Sequence, residues 1–288
     1  MSRNEGRFSA AEGSPTPEDE GTSAVAASAA GSQFNWALPT EFVELPSKGK
    51  FYPPGHPLHN QATVEIKYMT AKEEDILTDR ALLKKGIAID RVLENLIVNK
   101  AIKLDDLLVG DKNAILVKAR TTGYGSSYDT RVICPNCLTP CEHSFDLEEL
   151  GHIDFEQSLE DDEVELTESN TFRVTLPMSK VTIECRMLTG GDESSIAKKA
   201  LRNDRKNEAS TTLTTQLGML IVSINDNTDK FTKAKFIAAM PARDSRYLRG
   251  ILEKVTPNID MTQDFECEHC GEQAVLEVPL NTDFFWPK

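Results

Sequence analysis

Cys134-Pro135-Asn136-Cys137 and Cys267-Glu268-His269-Cys270 are two short cysteine pairs with 129 residues between them. A Cys-x-x-Cys turn presents two thiols on one side of a tight loop, and two such turns supply the four soft ligands of a closed tetrahedral zinc. Working outward, a strand-like stretch precedes each pair: Tyr128 to Ile133 before the first, and a segment through Phe265 before the second. Alternating apolar residues follow, Phe145 and Leu147 after the first pair and Val275 or Leu276, then Val278 and Leu280, after the second. This is the two-knuckle layout of a zinc ribbon split by a long insert. It predicts one structural Zn2+ on Cys134, Cys137, Cys267 and Cys270. With four thiolates there is no open position for water, so such an ion folds the chain rather than catalyses. Disulfides or a redox dithiol are the weaker reading, because nothing around the pairs resembles a thioredoxin unit.

The other candidate ligands have plainer readings. Cys141 extends the first pair to Cys-x-x-Cys-x-x-x-Cys, a spacing an iron–sulfur cluster could use, but it reads better as a small hairpin residue. Cys185 falls at an inward strand position. His269 lies within the second knuckle loop, and His56 and His59 stand beside prolines in a loop.

The segments leading to the two pairs look alike. In the first half, Thr63 to Met69 alternates as a strand, and Thr70-Ala71-Lys72-Glu73 is a capping box that opens a helix. A second helix is predicted over Ile87 to Val98 and a third from near Asp111. In the second half, Ile183, Cys185 and Met187 alternate, a helix is predicted from about Gly191 to Arg202, another from Thr211 to Ser223, and a last one from near Asp244. Leu220-Ile221-Val222 matches Leu96-Ile97-Val98. Asp111 precedes Cys134 by 23 residues, and Asp244 precedes Cys267 by the same 23. The fold class read from this is α+β, two similar strand–helices–knuckle halves made by internal duplication and joined through a split zinc ribbon.

Composition bounds the rest. The 288 residues suffice for one large or two smaller domains, and the net charge of −14 speaks against broad phosphate-backbone binding. No apolar run is long enough to span a bilayer, and the polar N-terminus predicts no secretory signal. Residues 1–33 are rich in Ser, Ala, Gly and Glu and are read as a disordered tail. Residues 34–62 alternate aromatics with prolines and are read as an extended arm that docks on a surface, this chain's own or a partner's. Phe34, Trp36, Phe42, Phe51 and Tyr52 are its candidate partner-binding residues. Residues 63–150 form the first unit, 151–170 an acidic linker and 171–288 the second unit. Twelve Asp or Glu and no Lys or Arg fall between Glu142 and Glu168, which predicts a solvated segment. No phosphate loop, nucleophile elbow or His-Glu-x-x-His is present, so no enzyme is predicted.

Several short motifs occur in a recognisable order. They are Val43-Glu44-Leu45-Pro46-Ser47-Lys48-Gly49, Gly55-His56-Pro57-Leu58, Met69-Thr70-Ala71-Lys72-Glu73-Glu74-Asp75-Ile76-Leu77 and Leu107-Leu108-Val109-Gly110-Asp111-Lys112-Asn113. After these come Thr122-Gly123-Tyr124-Gly125 and Leu188-Thr189-Gly190-Gly191-Asp192-Glu193. Together they resemble a family of baseplate and baseplate hub assembly proteins of T-even-like tailed phages (myoviruses), over roughly residues 40–285. The resemblance implies a non-enzymatic part in building the contractile tail, as a structural component or an assembly factor. It implies phage tail or baseplate proteins as partners, the tape-measure protein among them, in the host cytoplasm during assembly and in the virion. No catalytic residue transfers from it. The alternative reading of the cysteines is a zinc-ribbon adaptor for nucleic acid or transcription machinery, against which the acidic knuckle surroundings count.

Overall fold

In the computed structural model, which describes residues 38–161, 164–206, 211–280 and 282–285, the chain opens with a hairpin. Strand β1 (Thr40–Glu44) pairs antiparallel with β2 (Thr63–Lys67), setting Val43 opposite Val64. Val43, Val64 and Ile66 are buried, the one-sided burial that period-2 alternation gives. The predicted disordered tail, with Phe34 and Trp36 of the arm, lies outside the described residues. The rest of the arm is not extended. Its loop folds back on itself, with Leu45 N–H donating to Ala62 O at 2.8 Å and Asn60 N–H to Gly49 O at 2.9 Å. Gly49 permits this turn: its φ is 72°, and a Cβ would meet Gln61 N and Leu58 O at 2.4 Å.

Helix α1 (Ala71–Thr78) starts at the expected capping box, in which Thr70 N–H donates to Glu73 Oε2 at 3.0 Å. A short α2 (Arg80–Lys85), absent from the sequence reading, follows because Asp79 accepts from the N–H groups of Ala81 and Leu82. Helix α3 (Ala88–Leu96) stops short of the predicted Val98, since Ile97 leaves it to bridge Ile66 of β2. Helix α4 (Val109–Tyr124) then leads into the antiparallel pair β3 (Ser127–Ile133) and β4 (Pro140–Asp146).

The predicted acidic linker instead contains α5 (Phe155–Asp161) and β5 (Glu165–Leu166). Phe155 is buried and meets the Phe51 ring edge-on at 5.5 Å. One aromatic side chain thus anchors a stretch whose charge alone suggested solvation. Strand β5 pairs with β6 (Phe172–Thr175), β6 with β7 (Thr182–Cys185), and β7 with β8 (Ile221–Ile224), all antiparallel. Between β7 and β8 come α6 (Gly190–Lys206) and α7 (Thr212–Leu220). The helix predicted to run to Ser223 therefore ends at Leu220. Ile221, Val222 and Ile224 are β-branched, and pairing with β7 satisfies their backbone while burying both isoleucines. Helices α8 (Lys230–Ala239) and α9 (Ala242–Val255) and the hairpin β9 (Thr262–Glu266) and β10 (Gln273–Glu277) complete the order, before a 3-10 turn at Thr282–Phe285.

One continuous apolar core runs through both halves. The segments that precede α4 and α6 bond to each other: Val109 N–H donates to Leu188 O at 3.1 Å and Gly190 N–H to Leu107 O at 2.8 Å. At Gly110 a Cβ would lie 2.0 Å from Pro257 O, so glycine lets the start of α4 sit directly on the second half. Arg120, buried in α4, donates to the carbonyls of Phe284, Gly125 and Ser127 and so ties the C-terminal turn to that helix.

Candidate metal centre

Each cysteine pair sits on a knuckle at the tip of a hairpin, β3–β4 or β9–β10. In the first, Cys134 N–H donates to Thr139 O at 3.1 Å and Leu138 N–H to Cys134 O at 3.0 Å. In the second, Cys267 N–H donates to Glu272 O at 2.9 Å and Gly271 N–H to Cys267 O at 2.8 Å. Leu138 and Gly271 hold the same place in their loops, and both are left-handed, at φ 58° and 69°. The two hairpins meet side by side. Gln263 of β9 accepts from Asp146 N–H at 3.0 Å and donates to Asp146 O.

That meeting brings together the sulfurs of Cys134, Cys137, Cys267 and Cys270, all within 4.8 Å of one another. Cys134 Sγ lies 3.7 Å from Cys270 Sγ, and Cys137 Sγ lies 3.8 Å from Cys267 Sγ. All six cysteines are free, and these separations are nearly twice a disulfide bond of about 2.05 Å. They fit the edge of a ZnS4 tetrahedron, about 3.8 Å for a Zn–S bond of about 2.3 Å. The donor set suits zinc in chemistry as well as size, four thiols with two buried and two exposed.

Their protonation is coupled. The hydroxyl and N–H of Thr139 bring the Cys137 thiol down to about 6. At Cys270 the Glu272 N–H favours the thiolate, but lost hydration and the neighbouring sulfurs prevail and push it up to about 12. One thiolate in the cluster thus makes the next harder to form, a conflict that a divalent cation removes.

Cys185 is fully buried in β7, His269 is exposed, and His59 is occupied at Nδ1 by Tyr52 O at 2.7 Å. Cys141, read from the sequence as a possible fifth ligand but more simply as a small hairpin residue, is buried in β4 with its sulfur 3.7 Å from Cys267 Sγ.

Among the arm residues, Phe42 is 64% exposed on β1. Phe51 packs on Phe155 and Phe172. Tyr52, 1% exposed, donates to Asp111 Oδ2 at 2.7 Å, accepts from Leu108 N–H at 3.1 Å and stacks on His56. Its hydroxyl and ring are spent inside the chain and are not available to a partner.

A second surface feature is an open groove of about 1140 Å³ between α3, α4, α6, α7 and α9. Leu116, Ile196, Leu252 and Met261 line it, and at its wall Lys112 is ion-paired with Asp90 at 3.0 Å and Glu193 at 3.4 Å.

The motif order that suggested a phage family agrees with the comparison of whole sequences. The sequence pattern of the family described as T4 bacteriophage base plate protein matches residues 39–286, most of the chain. The chain belongs to that family. No curated protein and no solved structure matches it. Membership in the T4 base plate family makes it a structural phage tail protein and implies contact with other baseplate or tail proteins, in the virion. None of the described helices is long and apolar enough to cross a membrane.

Proposed function

We propose that this base plate family protein is a non-catalytic scaffold of the contractile-tail baseplate, acting at or near the hub, in which one structural zinc clasps two copies of a duplicated unit. The observation that carries the reading is the convergence of four cysteine sulfurs from two hairpins, at separations that suit a closed zinc site. Such an ion supplies cross-linking and no chemistry, since four thiolates fill its shell.

The duplication is supported by more than the cysteine spacing. Both halves place a hairpin, a capped helix, an apolar Ile that pairs back to the hairpin, and a helix leading to a knuckle. Ile97 returns to Ile66 in the first half, and Ile221 to Cys185 in the second. Joining the hairpins through zinc then makes a split ribbon whose two arms belong to different copies.

Partner contact falls to exposed apolar surface. Phe42 on β1 and the groove beside Lys112 are the described candidates, and Phe34 and Trp36 continue the same arm in the sequence. Partners are other baseplate or tail proteins, including the tape-measure protein, met first in the host cytoplasm.

Co-purification of the full chain with the phage's baseplate proteins, repeated with Phe42→Ser, tests the reading. Retention of partners by the wild type and loss in the variant supports it. A chain that ignores every tail protein and instead shifts DNA or RNA in a salt-sensitive manner would favour the nucleic-acid adaptor. Mass spectrometry of purified virions separates a permanent component from an assembly factor, which would be missing from them.

A further inference from the structure

The first hairpin is closed along one edge and open along the other. Residues of an antiparallel pair alternate in where their backbone groups point, toward the partner strand or away from it. Leu45 N–H donates to Ala62 O at 2.8 Å and Tyr68 N–H to Pro39 O at 3.1 Å. By the register of the pair, Glu41 and Val43 therefore also turn their backbone groups toward β2. The N–H and C=O groups of Thr40, Phe42 and Glu44 turn the other way, and they meet no hydrogen-bond partner among the described residues. The far edge of β2 is covered instead, since Ile97 bridges Ile66 and Val98 N–H donates to Glu65 O at 3.0 Å.

We propose that the outer edge of β1 is the docking site for an extended, basic segment of another baseplate or tail protein, which joins the hairpin as a third strand. The inference rests on the reading above that this chain contacts such proteins. Folded chains usually blunt an open edge with Lys, Pro or a covering element, because it is a template for pairing. Pro39 and Pro46 flank this edge, but its centre is Phe42, 64% exposed. Unpaired backbone groups at every second residue call for an occupant with the same spacing, a strand and not a helix, whose own groups are satisfied internally. The charge of the occupant follows from the face around Phe42. Glu44 lies two residues on and Glu65 lies directly across on β2, and neither has an ion-pair partner among the described residues. Lys67 sits farther off, opposite Thr40. An apolar side chain set against Phe42 with Lys or Arg beside it complements this face. A second copy of β1 would bring the same carboxylates together. Five residues, about 17 Å of strand, also cover much less than the about 800 Å² per partner of a stable dimer.

The test follows hydrogen exchange amide by amide in the full chain, alone and mixed with the phage's purified baseplate proteins. In the free chain the Glu41 and Val43 amides should exchange slowly and those of Phe42 and Glu44 fast. In the complex the Phe42 and Glu44 amides should slow by at least about tenfold. Thr40→Pro removes one outward N–H while leaving the bonds to β2 and the Phe42 ring in place. It should weaken binding severalfold, with Thr40→Val binding as the wild type does. Glu44→Lys should weaken binding as well, and undiminished binding by that variant would refute a basic partner. Circular dichroism checks that the variants fold, and the amide measurement on the wild type needs none of them. A complex in which the Phe42 and Glu44 amides exchange as fast as in the free chain would overturn the proposal and leave the chain's contact with tail proteins standing. Binding to none of them defeats that contact and this inference together. Slow Phe42 and Glu44 amides in the chain alone also refute a partner strand: slowing that grows with concentration assigns the edge to a second copy, and slowing at every concentration shows it already covered.

Discussion

Asp111 and Asp244 make the same connection in the two halves of the chain. Each is the third residue of its helix, α4 or α9, each is fully buried, and each stands 23 residues before a knuckle cysteine. Asp111 accepts from Ser47 N–H at 3.0 Å, Ser47 Oγ–H at 2.6 Å and the Tyr52 hydroxyl. Asp244 accepts from Met178 N–H at 2.7 Å and Ser179 N–H at 2.9 Å. The loops they hold are Leu45-Pro46-Ser47-Lys48 and Leu176-Pro177-Met178-Ser179-Lys180, whose lysines are both left-handed, at φ 50° and 57°. One buried carboxylate at a helix start thus pins each hairpin loop. The helix N-terminus itself favours the negative charge.

Asp244→Ala is expected to destabilise the chain by roughly 1–3 kcal/mol, because the part-buried N–H groups of Met178 and Ser179 lose their charged acceptor. Asp111→Ala should cost at least as much. Urea denaturation followed by circular dichroism measures both, and a loss under about 1 kcal/mol in either would remove the carboxylate from the list of fold-defining contacts.

The two carboxylates should respond oppositely to pH. Burial alone would raise the Asp244 pKa, but the Met178 and Ser179 N–H groups outweigh it, and its carboxyl is lowered. Its stabilisation is present above the unfolded value of about 4 and is lost as pH falls through the lower folded value. For Asp111 burial prevails over the bonds from Ser47 and Tyr52, and the carboxyl is raised. The stability linked to it is full below about 4 and declines as pH rises through the raised folded value. Asp244→Asn should therefore flatten the acid limb of the stability–pH curve. Asp111→Asn should instead remove part of the decline above about pH 4.

Chelation of the metal should separate the hairpins. With zinc removed by a strong chelator, the thermal midpoint is expected to fall by many degrees, since structural zinc in small modules is worth about 10–16 kcal/mol of apparent binding energy. Acid should act in the same direction, because protons compete with zinc for the four thiolates. Calorimetry with and without chelator measures the effect; an unchanged midpoint would mean that the core alone holds the two halves.

Leu138→Gly should stabilise the chain. Leu138 is 72% exposed, so little burial is lost, and its φ of 58° is strained for any side chain. Relief of about 1–2 kcal/mol of left-handed strain is partly offset by about 0.5–1 kcal/mol of added chain entropy. The reciprocal Gly271→Leu should destabilise, although open space surrounds that position. A thermal-melt pair of the two variants checks both signs.

Much of this was legible in order along the chain. The capping box at Thr70 and Glu73, the β2 alternation and both Cys-x-x-Cys turns depend on residues a few positions apart, so the sequence specifies them directly. The 23-residue spacing also marked Asp111 and Asp244 as counterparts. It did not reveal why, because a buried carboxylate differs from a surface one only in what packs over it.

Local chemistry by itself determined that two thiol pairs sit on two tight turns and that residues 40–285 follow the order of a baseplate family. Tertiary structure alone decided that Tyr52 points inward, that Ile221–Ile224 is a strand, that Phe155 anchors an acidic stretch, and that Cys141 reaches Cys267. Each of these depends on a partner brought in from far along the chain: Asp111, β7, Phe51, the second knuckle. Burial and strand pairing are properties of the assembled core, and no window of the sequence contains both sides of such a contact.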